Sequence, residues 1–191
     1  MKKLFVVLVA IVLVASFASA QSVWGQGKMS VGAGLELGLP TGDWGDFVGV
    51  GIGGFGLFQY GINEDILAIG QIGYTSWAKK DNYGSGSDLA ILVGGKYNLS
   101  KQVTPGFYGL LQLGIYSTSY KTTIAGYPGV TYGGVTYGAV AGGDVTTTDS
   151  KFVIIPGVGY QFGPIDASVK YVINGDVGNF ALNVAYIFPL K

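Results

Sequence analysis

Large apolar side chains occupy every second position in the last segment of the chain. Between residues 180 and 188 one face carries five bulky apolar side chains, whereas the other carries Ala181, Asn183 and Ala185. An alternation with a period of two residues predicts a β-strand with one apolar face. Three further segments alternate in the same way, at residues 29–38, 89–98 and 166–173. The chain is therefore expected to consist of strands that each have one large apolar face and one face of small or polar residues.

The charge content indicates which of these faces meets water. Charged residues make up only 12% of the chain, whereas a soluble domain has about 25%. The small and polar faces therefore carry too little charge to coat a soluble β-sandwich. If the apolar faces meet lipid and the faces rich in Gly, Ser, Asn and Lys line a narrow lumen, one geometry explains both compositions. A soluble lipid-binding barrel is the weaker alternative, because its outer surface would be far too apolar.

Eight strands are predicted when the remaining segments are interpreted in the same way. They cover residues 28–39, 48–60, 65–78, 88–98, 105–120, 151–162, 165–173 and 179–189. The expected fold class is all-β, a closed antiparallel up-and-down transmembrane β-barrel, and bacterial barrels of this kind have an even number of strands. The alternation slips at Gly53 and Gly54, which predicts a β-bulge there.

The predicted connections alternate between short turns and longer loops. Outer-membrane barrels have short periplasmic turns and longer extracellular loops, so the longest connection, residues 121–150, is expected outside the cell. Aromatic residues near the strand ends are expected to form girdles at the two membrane interfaces. These residues are Tyr60, Tyr74, Tyr97, Phe107, Phe152, Phe162, Tyr171 and Phe188.

The beginning of the chain has the pattern of a secretory signal peptide. Lys2 and Lys3 precede an apolar stretch from Leu4 to Val14, and residues 18–20 read Ala-Ser-Ala, which matches an A-x-A cleavage site. The apolar stretch is shorter than the roughly 20 residues that a transmembrane helix needs. The predicted organisation is a cleaved signal peptide over residues 1–20 and an outer-membrane barrel over residues 21–191, at the bacterial outer membrane.

The mature chain resembles a known family of membrane proteins. The resemblance rests on the opening strand at residues 31–37, the first loop Pro-Thr-Gly-Asp-Trp at residues 40–44, and the terminal aromatic alternation. These features resemble the small outer-membrane β-barrel domain family, akin to the OmpA and OmpX barrels, over residues 28–189. The resemblance implies the barrel fold and the outer-membrane location.

Residues for catalysis are missing from the sequence. The chain has no His and no Cys, whereas outer-membrane barrels that are enzymes, such as lipid A acyl-modifying enzymes and proteases, rely on an active-site histidine. No paired-carboxylate or Ser–Lys spacing suggests another base, and no metal-ligand set is evident. We therefore predict no catalytic, cofactor-binding or metal-binding residues, no cofactor, and no enzymatic activity.

The charge balance limits the expected partners. Without Lys2 and Lys3, nine lysines face eleven acidic residues, which gives a net charge of 9 − 11 = −2. No basic stripe is available to neutralise the phosphates of a nucleic acid. The expected partner is outer-membrane lipid, and the chain is expected to be a monomer whose surface ligand the sequence does not identify.

Polar residues assigned to the inward faces predict a network in the lumen. Its members are Glu36, Lys96, Gln112, Asp166, Lys170 and Asn183. Opposite charges that lack bulk water are expected to pair. Because the first and seventh predicted strands both flank the eighth, Glu36 is expected to pair with Lys170 and to plug the barrel. A polar conduction path is the alternative, and eight strands leave little room for one.

A tandem repeat lies in the longest predicted loop. Gly-Val-Thr-Tyr-Gly at residues 129–133 is followed at once by the same five residues at 134–138. Tyr127, Tyr132 and Tyr137 could extend the fifth and sixth predicted strands above the membrane and present an adhesive edge. The alternative is a low-complexity loop without a specific role. The sequence thus predicts a structural or adhesin-like function through residues 121–150, with a small channel or a transporter of small or hydrophobic molecules as the alternative.

Overall fold

The computed structural model describes residues 23–80, 85–100, 106–124, 126, 129–132, 134–138, 142–174 and 177–190. The predicted signal peptide and Tyr127 lie outside these ranges. Within them, no helix has both the length and the apolar character needed to cross a membrane.

The described ranges form β-strands and one short helix. In chain order the elements are β1 (Met29–Thr41), α1 (Trp44–Phe47), β2 (Val48–Gly61), β3 (Ile66–Lys79), β4 (Ser85–Asn98), β5 (Phe107–Ile124), β6 (Val130–Tyr132), β7 (Val135–Tyr137), β8 (Gly143–Phe162), β9 (Ile165–Asn174) and β10 (Val177–Leu190).

Eight of the strands close into one antiparallel barrel with the order β1-β10-β9-β8-β5-β4-β3-β2. The barrel closes where β1 pairs with β10, from Met29 opposite Leu190 to Thr41 opposite Gly178. We call the end of the barrel where β1 begins and β10 ends the terminal end, and the opposite end the loop end. The predicted closed up-and-down barrel is confirmed, and each of its eight strands corresponds to one predicted segment.

The strands have apolar outward faces and small or polar inward faces, as predicted. On β10, Phe180 and Val184 are 45% and 56% exposed, whereas Ala181 and Asn183 are 1% and 3% exposed. The aromatic residues predicted for the girdles all point outward: Tyr60, Tyr74, Tyr97, Phe107, Phe152, Phe162, Tyr171 and Phe188. The outer surface of the barrel is therefore mostly apolar, and no other part of the described chain covers it.

The β-bulge lies at the start of β2 rather than at Gly53 and Gly54. The register between β2 and β3 shifts between Val48 and Gly51, whereas Gly53 and Gly54 pair regularly with the next strand. Val48 and Gly51 are both buried, and Val50 between them is exposed. The predicted position was wrong because glycines on both faces of this strand conceal the alternation of large and small side chains.

Two strands continue well beyond their predicted limits. β5 extends to residue 124 instead of 120, and β8 begins at residue 143 instead of 151. Much of the predicted loop 121–150 is therefore strand. Ser and Thr dominate the added residues, and these residue types give no apolar alternation although Thr is well suited to strands.

The segment before β1 fills the terminal end of the lumen. Trp24 is 4% exposed, its indole Nε1 donates a hydrogen bond to Gln161 Oε1 at 3.1 Å, and its ring centroid lies 6.4 Å from that of Tyr108. The backbone N–H of Gly27 donates to the carbonyl of Gly61 at 2.9 Å. The residues before β1 thus act as a plug, which the alternation pattern did not predict.

Candidate functional site

A buried ion pair crosses the lumen between two strands that are not neighbours in the barrel. The Lys96 ammonium on β4 pairs with the Asp166 carboxylate on β9, and both side chains are 5% exposed. Tyr108 donates its hydroxyl hydrogen to the other carboxylate oxygen, and the Lys96 Nζ lies 4.6 Å from the centroid of the Tyr108 ring. Both charges are therefore neutralised inside the barrel.

Glu36 is held by neutral donors. Thr75 Oγ1 donates a hydrogen bond to one oxygen of the Glu36 carboxylate at 2.8 Å, and Asn183 Nδ2 donates to the other at 3.0 Å. Asn183 lies directly opposite Glu36 in the β1–β10 ladder. The ion pair of the described lumen is the one between β4 and β9, which corrects the predicted pairing of Glu36 with Lys170.

Lys170 is bound by an amide. Its Nζ donates to Gln71 Oε1 at 2.9 Å, and Gln112 Nε2 donates to the same oxygen at 3.2 Å. The six residues predicted for the lumen are all buried inside the barrel. They belong to three separate groups: Lys96 with Asp166, Glu36 with Asn183, and Lys170 with Gln112 through the shared acceptor Gln71.

The space left in this part of the lumen is small. A cavity of about 20 Å³ lies among these polar side chains, which is room for about one water molecule. Gln112 Oε1 and Asn183 Oδ1 line this cavity and have no hydrogen-bond partner in the protein. Apolar side chains pack on the two sides of the network. They are Val23, Trp24, Phe55, Leu67, Ile69, Tyr108, Leu110, Ala185 and Ile187 towards the terminal end, and Ala90, Leu92, Tyr116, Val153, Ile155 and Val172 towards the loop end.

The outward face of β5 and β8 changes from apolar to polar within one cross-strand step. Ile115 lies opposite Phe152, and the next outward pair towards the loop end is Ser117 opposite Ser150. The two serine hydroxyls are 2.8 Å apart, and the following pair, Ser119 and Thr148, is joined by a hydrogen bond of 2.9 Å. On β5 the outward apolar run covers residues 107–115, close to the roughly 9–11 residues that span a bilayer as a tilted strand.

Beyond this step β5 and β8 continue as a paired extension with one open edge, on β8, because β5 still pairs with β4 as far as Lys121. We call residues 117–124 and 143–150 the β5–β8 ribbon. β8 pairs with β5 up to Gly143, whereas its pairing with β9 stops at Ile154. Residues 143–153 therefore have no partner on β9, which makes this an open edge within the described residues.

The tandem repeat forms a small hairpin of its own. The Val-Thr-Tyr of the first unit, β6, pairs antiparallel with the Val-Thr-Tyr of the second unit, β7. Gly134 adopts φ +83° in the turn, a conformation that glycine accepts readily. The repeat therefore does not extend β5 and β8, which corrects the prediction, although both strands do extend. Tyr132 is 84% exposed and the backbone of Tyr137 pairs with Val130.

A larger cavity opens at the loop end, and we call it the mouth cavity. Its volume is about 230 Å³, and Trp44, Trp77, Asp88 and Tyr116 form much of its wall. The Trp44 and Trp77 rings meet edge to face at 6.0 Å, and the Trp77 Nε1 donates a hydrogen bond of 2.6 Å to Asp88 Oδ2. Sequence reasoning missed this site, although two of the three tryptophans lie near predicted strand ends on the loop side.

No group of three or more His, Cys, Asp or Glu side chains in the described residues could hold a metal ion.

Comparisons by sequence give no assignment. No protein-family model matches the chain, and no curated protein matches it.

Comparisons by structure give consistent matches. Ail, the attachment invasion locus protein of Yersinia pestis, superposes with a TM-score of 0.56 at 17% identity, over 85% of this chain and 99% of Ail. The N-terminal β-barrel domain of Pseudomonas aeruginosa OprF gives 0.53 at 14% identity, over 85% and 100% of the two chains. Neisserial surface protein A gives 0.50 at 17% identity, over 83% and 95%. The closed eight-stranded barrel therefore has the fold of the small outer-membrane β-barrels of the OmpA and OmpX type.

Proposed function

We propose that this chain is an outer-membrane protein that anchors a surface-interaction module in the membrane. The observation that carries the proposal is the step from apolar to polar residues on the outward face of β5 and β8, between Ile115–Phe152 and Ser117–Ser150. Below the step, an apolar face of transmembrane length suits lipid. Above it, hydroxyl-bearing side chains suit water, so the β5–β8 ribbon would stand outside the membrane.

We also propose a route of export and an orientation. Residues 1–20 would act as the cleaved signal peptide, as their sequence predicts. The terminal end would face the periplasm and the loop end the outside of the cell, because long connections of such barrels are extracellular. This orientation places hairpin β6–β7 and the β5–β8 ribbon at the cell surface.

The lumen favours an anchor over a channel. The Lys96–Asp166 pair crosses it, Trp24 plugs its terminal end, and the cavity beside the polar network has a volume of only about 20 Å³. Each barrel strand also pairs with both of its neighbours, although β8 pairs with β9 only from Ile154 onwards. We propose no catalytic role, since the chain has no His and no Cys.

The surface module is proposed to be adhesive. Hairpin β6–β7 presents the exposed Tyr132, and tyrosine is a frequent contact residue at protein interfaces. Tyr127 and Tyr137 are proposed to contribute with it. The open edge at residues 143–153 could accept a strand from a partner. The name of Ail, an attachment invasion locus protein with the same fold, is in keeping with this proposal.

The first experiment tests location and orientation. We expect the protein to fractionate with outer membranes, to migrate differently with and without boiling, and to be cleaved in intact cells only within residues 121–150. Recovery as a soluble periplasmic protein with normal migration would show that lipid does not cover the apolar faces.

A second experiment tests adhesion. Residues 125–142 are replaced by a short Gly-Ser turn, and cells displaying this variant are compared with wild-type cells for attachment to cultured host cells. Heat-modifiable migration should be unchanged, because the barrel does not depend on the hairpin, whereas attachment should fall to the level of cells without the protein. Unchanged attachment would refute the adhesive role, and Tyr132→Ser serves as the milder variant.

Conduction is tested separately. Planar bilayers containing the purified protein should show no steady conductance, and a stable open-channel current would favour the transport alternative.

A further inference from the structure

We propose that the mouth cavity binds a small organic cation through a primary ammonium group. The cavity is lined by α1, by the barrel strands and by residues of the β5–β8 ribbon, so this inference does not depend on the adhesive role proposed for hairpin β6–β7. Three independent features of the site support it: an unbalanced buried charge, two oxygen acceptors without donors, and aromatic walls.

The buried charges of the described lumen do not balance. Glu36, Asp88 and Asp166 are buried acids, and Lys96 and Lys170 are buried bases, which leaves an excess of one negative charge. Asp88 is an acid without an ammonium partner that lies beside the cavity: it is 5% exposed, and it is bound by two neutral groups, the indole of Trp77 and the hydroxyl of Thr118. A buried charge is costly unless an opposite charge accompanies it. A cation in the mouth cavity would supply that charge.

Two oxygen atoms at the cavity lack hydrogen-bond donors. Asp88 Oδ1 and Asn174 Oδ1 have no hydrogen-bond partner in the protein, and both residues line the mouth cavity. Neighbouring atoms shield both oxygens from a water-sized probe, so a donor in the cavity reaches them only after small side-chain movements. Each atom can only accept a hydrogen bond when the carboxyl is ionised, so the missing group must be a donor. A primary ammonium group carries three N–H donors and a positive charge. It would therefore supply both the missing hydrogen-bond donors and the missing positive charge.

The walls suit an organic rather than an inorganic cation. Trp44, Trp77 and Tyr116 present aromatic rings to the cavity, and ring faces attract ammonium groups. The side chain of Val172 adds an apolar surface for an aliphatic stem. A volume of about 230 Å³ exceeds what a bare metal ion would need and is large enough for a short alkyl chain.

One cation already lines the site, but it is neutralised at the rim. Lys151 lies at the cavity with its Nζ 3.6 Å from Asp149 Oδ2, and the side chains of the two residues are 53% and 66% exposed. This solvent-exposed pair contributes little net charge to the interior. It also provides a matched control, because Asp149 is an acid at the same cavity that lies in water.

The test uses the full mature chain refolded in detergent micelles and titrated with pentylamine. Trp44 and Trp77 report binding by fluorescence, and the variant Trp24→Phe removes the third tryptophan, which lies at the opposite end of the lumen. We expect a saturable change with pentylamine. Neutral 1-pentanol and quaternary trimethylpentylammonium should each bind at least about tenfold more weakly, because one lacks the charge and the other lacks the N–H donors.

The source of the ammonium group is distinguished by a second ligand. The capped tripeptide acetyl-Gly-Lys-Gly-amide presents the same group on a protein-like backbone. Tighter binding of the peptide than of pentylamine would assign the site to a lysine side chain of a partner, and tighter binding of pentylamine would assign it to a free amine. Either result supports the proposed chemistry.

Variants assign the binding to Asp88. Asp88→Asn keeps the shape and an acceptor for Trp77 but removes the charge, and it should weaken pentylamine binding at least about tenfold. Asp149→Asn should change it less than about threefold, because the rim carboxylate is exposed. Asn174→Ala, at a half-buried position, should weaken binding without a risk to folding, and heat-modifiable migration verifies that each variant is folded.

Three results would overturn the proposal. They are the absence of saturable pentylamine binding, equal binding by the folded Asp88→Asn variant, and equal losses in Asp88→Asn and Asp149→Asn. The last result would indicate a diffuse negative potential at the barrel mouth instead of a built site.

Discussion

Replacing Lys96 by Met tests whether the ion pair across the lumen stabilises the barrel. Lys96 and Asp166 are each 5% exposed, so the substitution leaves a buried carboxylate whose remaining described partner is the hydroxyl of Tyr108. Removing one member of a buried pair costs about 3–5 kcal/mol, because the other charge stays desolvated and uncompensated. We expect Lys96→Met to lower the free energy of unfolding by an amount in this range.

The same chain provides the control for this prediction. Lys151 and Asp149 form an exposed pair at 3.6 Å, and exposed pairs contribute only about 0–1 kcal/mol. Lys151→Met should therefore change the free energy of unfolding by less than about 1 kcal/mol. The double variant Lys96→Met/Asp166→Asn removes both buried charges, and it should recover much of the stability that the single variant loses.

The assay is urea-induced unfolding of the refolded protein in phospholipid vesicles, followed by tryptophan fluorescence and by gel migration without boiling. Coincidence of the two transitions is needed before a free energy is derived. If Lys96→Met costs no more than Lys151→Met, or if the double variant is less stable than either single variant, the argument that charge pairing stabilises this lumen is refuted.

Two further predictions concern the barrel wall and its boundary with water. Gly114→Ala should lower stability by about 1–3 kcal/mol, because an added Cβ would lie 2.0 Å from the backbone oxygen of Ile91; Gly70→Ala, where nothing lies within 4 Å, should not lower it, and equal losses in the same urea assay would contradict this. Leu111→Lys in the middle of the outward apolar run should cost about 2–4 kcal/mol in vesicles, and Ser117→Lys beyond the step about 0–1 kcal/mol; equal costs would place the membrane boundary elsewhere.

The strands of the barrel could be predicted because one physical pattern produces them. Each strand has an apolar outward face, so an alternation of two residues identifies both the strand and its lipid-facing side. The pattern fails where this condition fails. The added part of β5 and β8 has polar residues on its outward face, such as Ser119 and Thr148, and Gly53 and Gly54 offer no side chains to compare.

The partners in the lumen could not be predicted from strand adjacency. Strand adjacency predicts a Glu36–Lys170 pair because their strands flank the same strand, yet Asn183 on that strand lies opposite Glu36 and donates to it. Asp166 is reached instead by Lys96 from across the barrel, because the lumen of an eight-stranded barrel is narrow enough for side chains to span it. Such contacts depend on register and on side-chain length, neither of which a single strand reveals.

The mouth cavity was missed for a similar reason. Trp44 lies in a loop helix, whereas Trp77 and Asp88 lie on neighbouring strands, and only the closed barrel brings them to one site. The repeat at residues 129–138 is evident in the sequence, but its pattern does not reveal that the two units pair with each other.

The closure of the barrel between β1 and β10 has a consequence for biosynthesis. β1 is the first barrel strand to be synthesised, and one of its edges stays unpaired until β10, the last strand, has been made. A chain truncated before β10 would have two unpaired edges, and lipid offers no hydrogen bonds to satisfy them. Premature termination would therefore give a fragment that cannot close into a smaller barrel and that is expected to be degraded. All eight barrel strands must be synthesised before the barrel can be stable in the membrane.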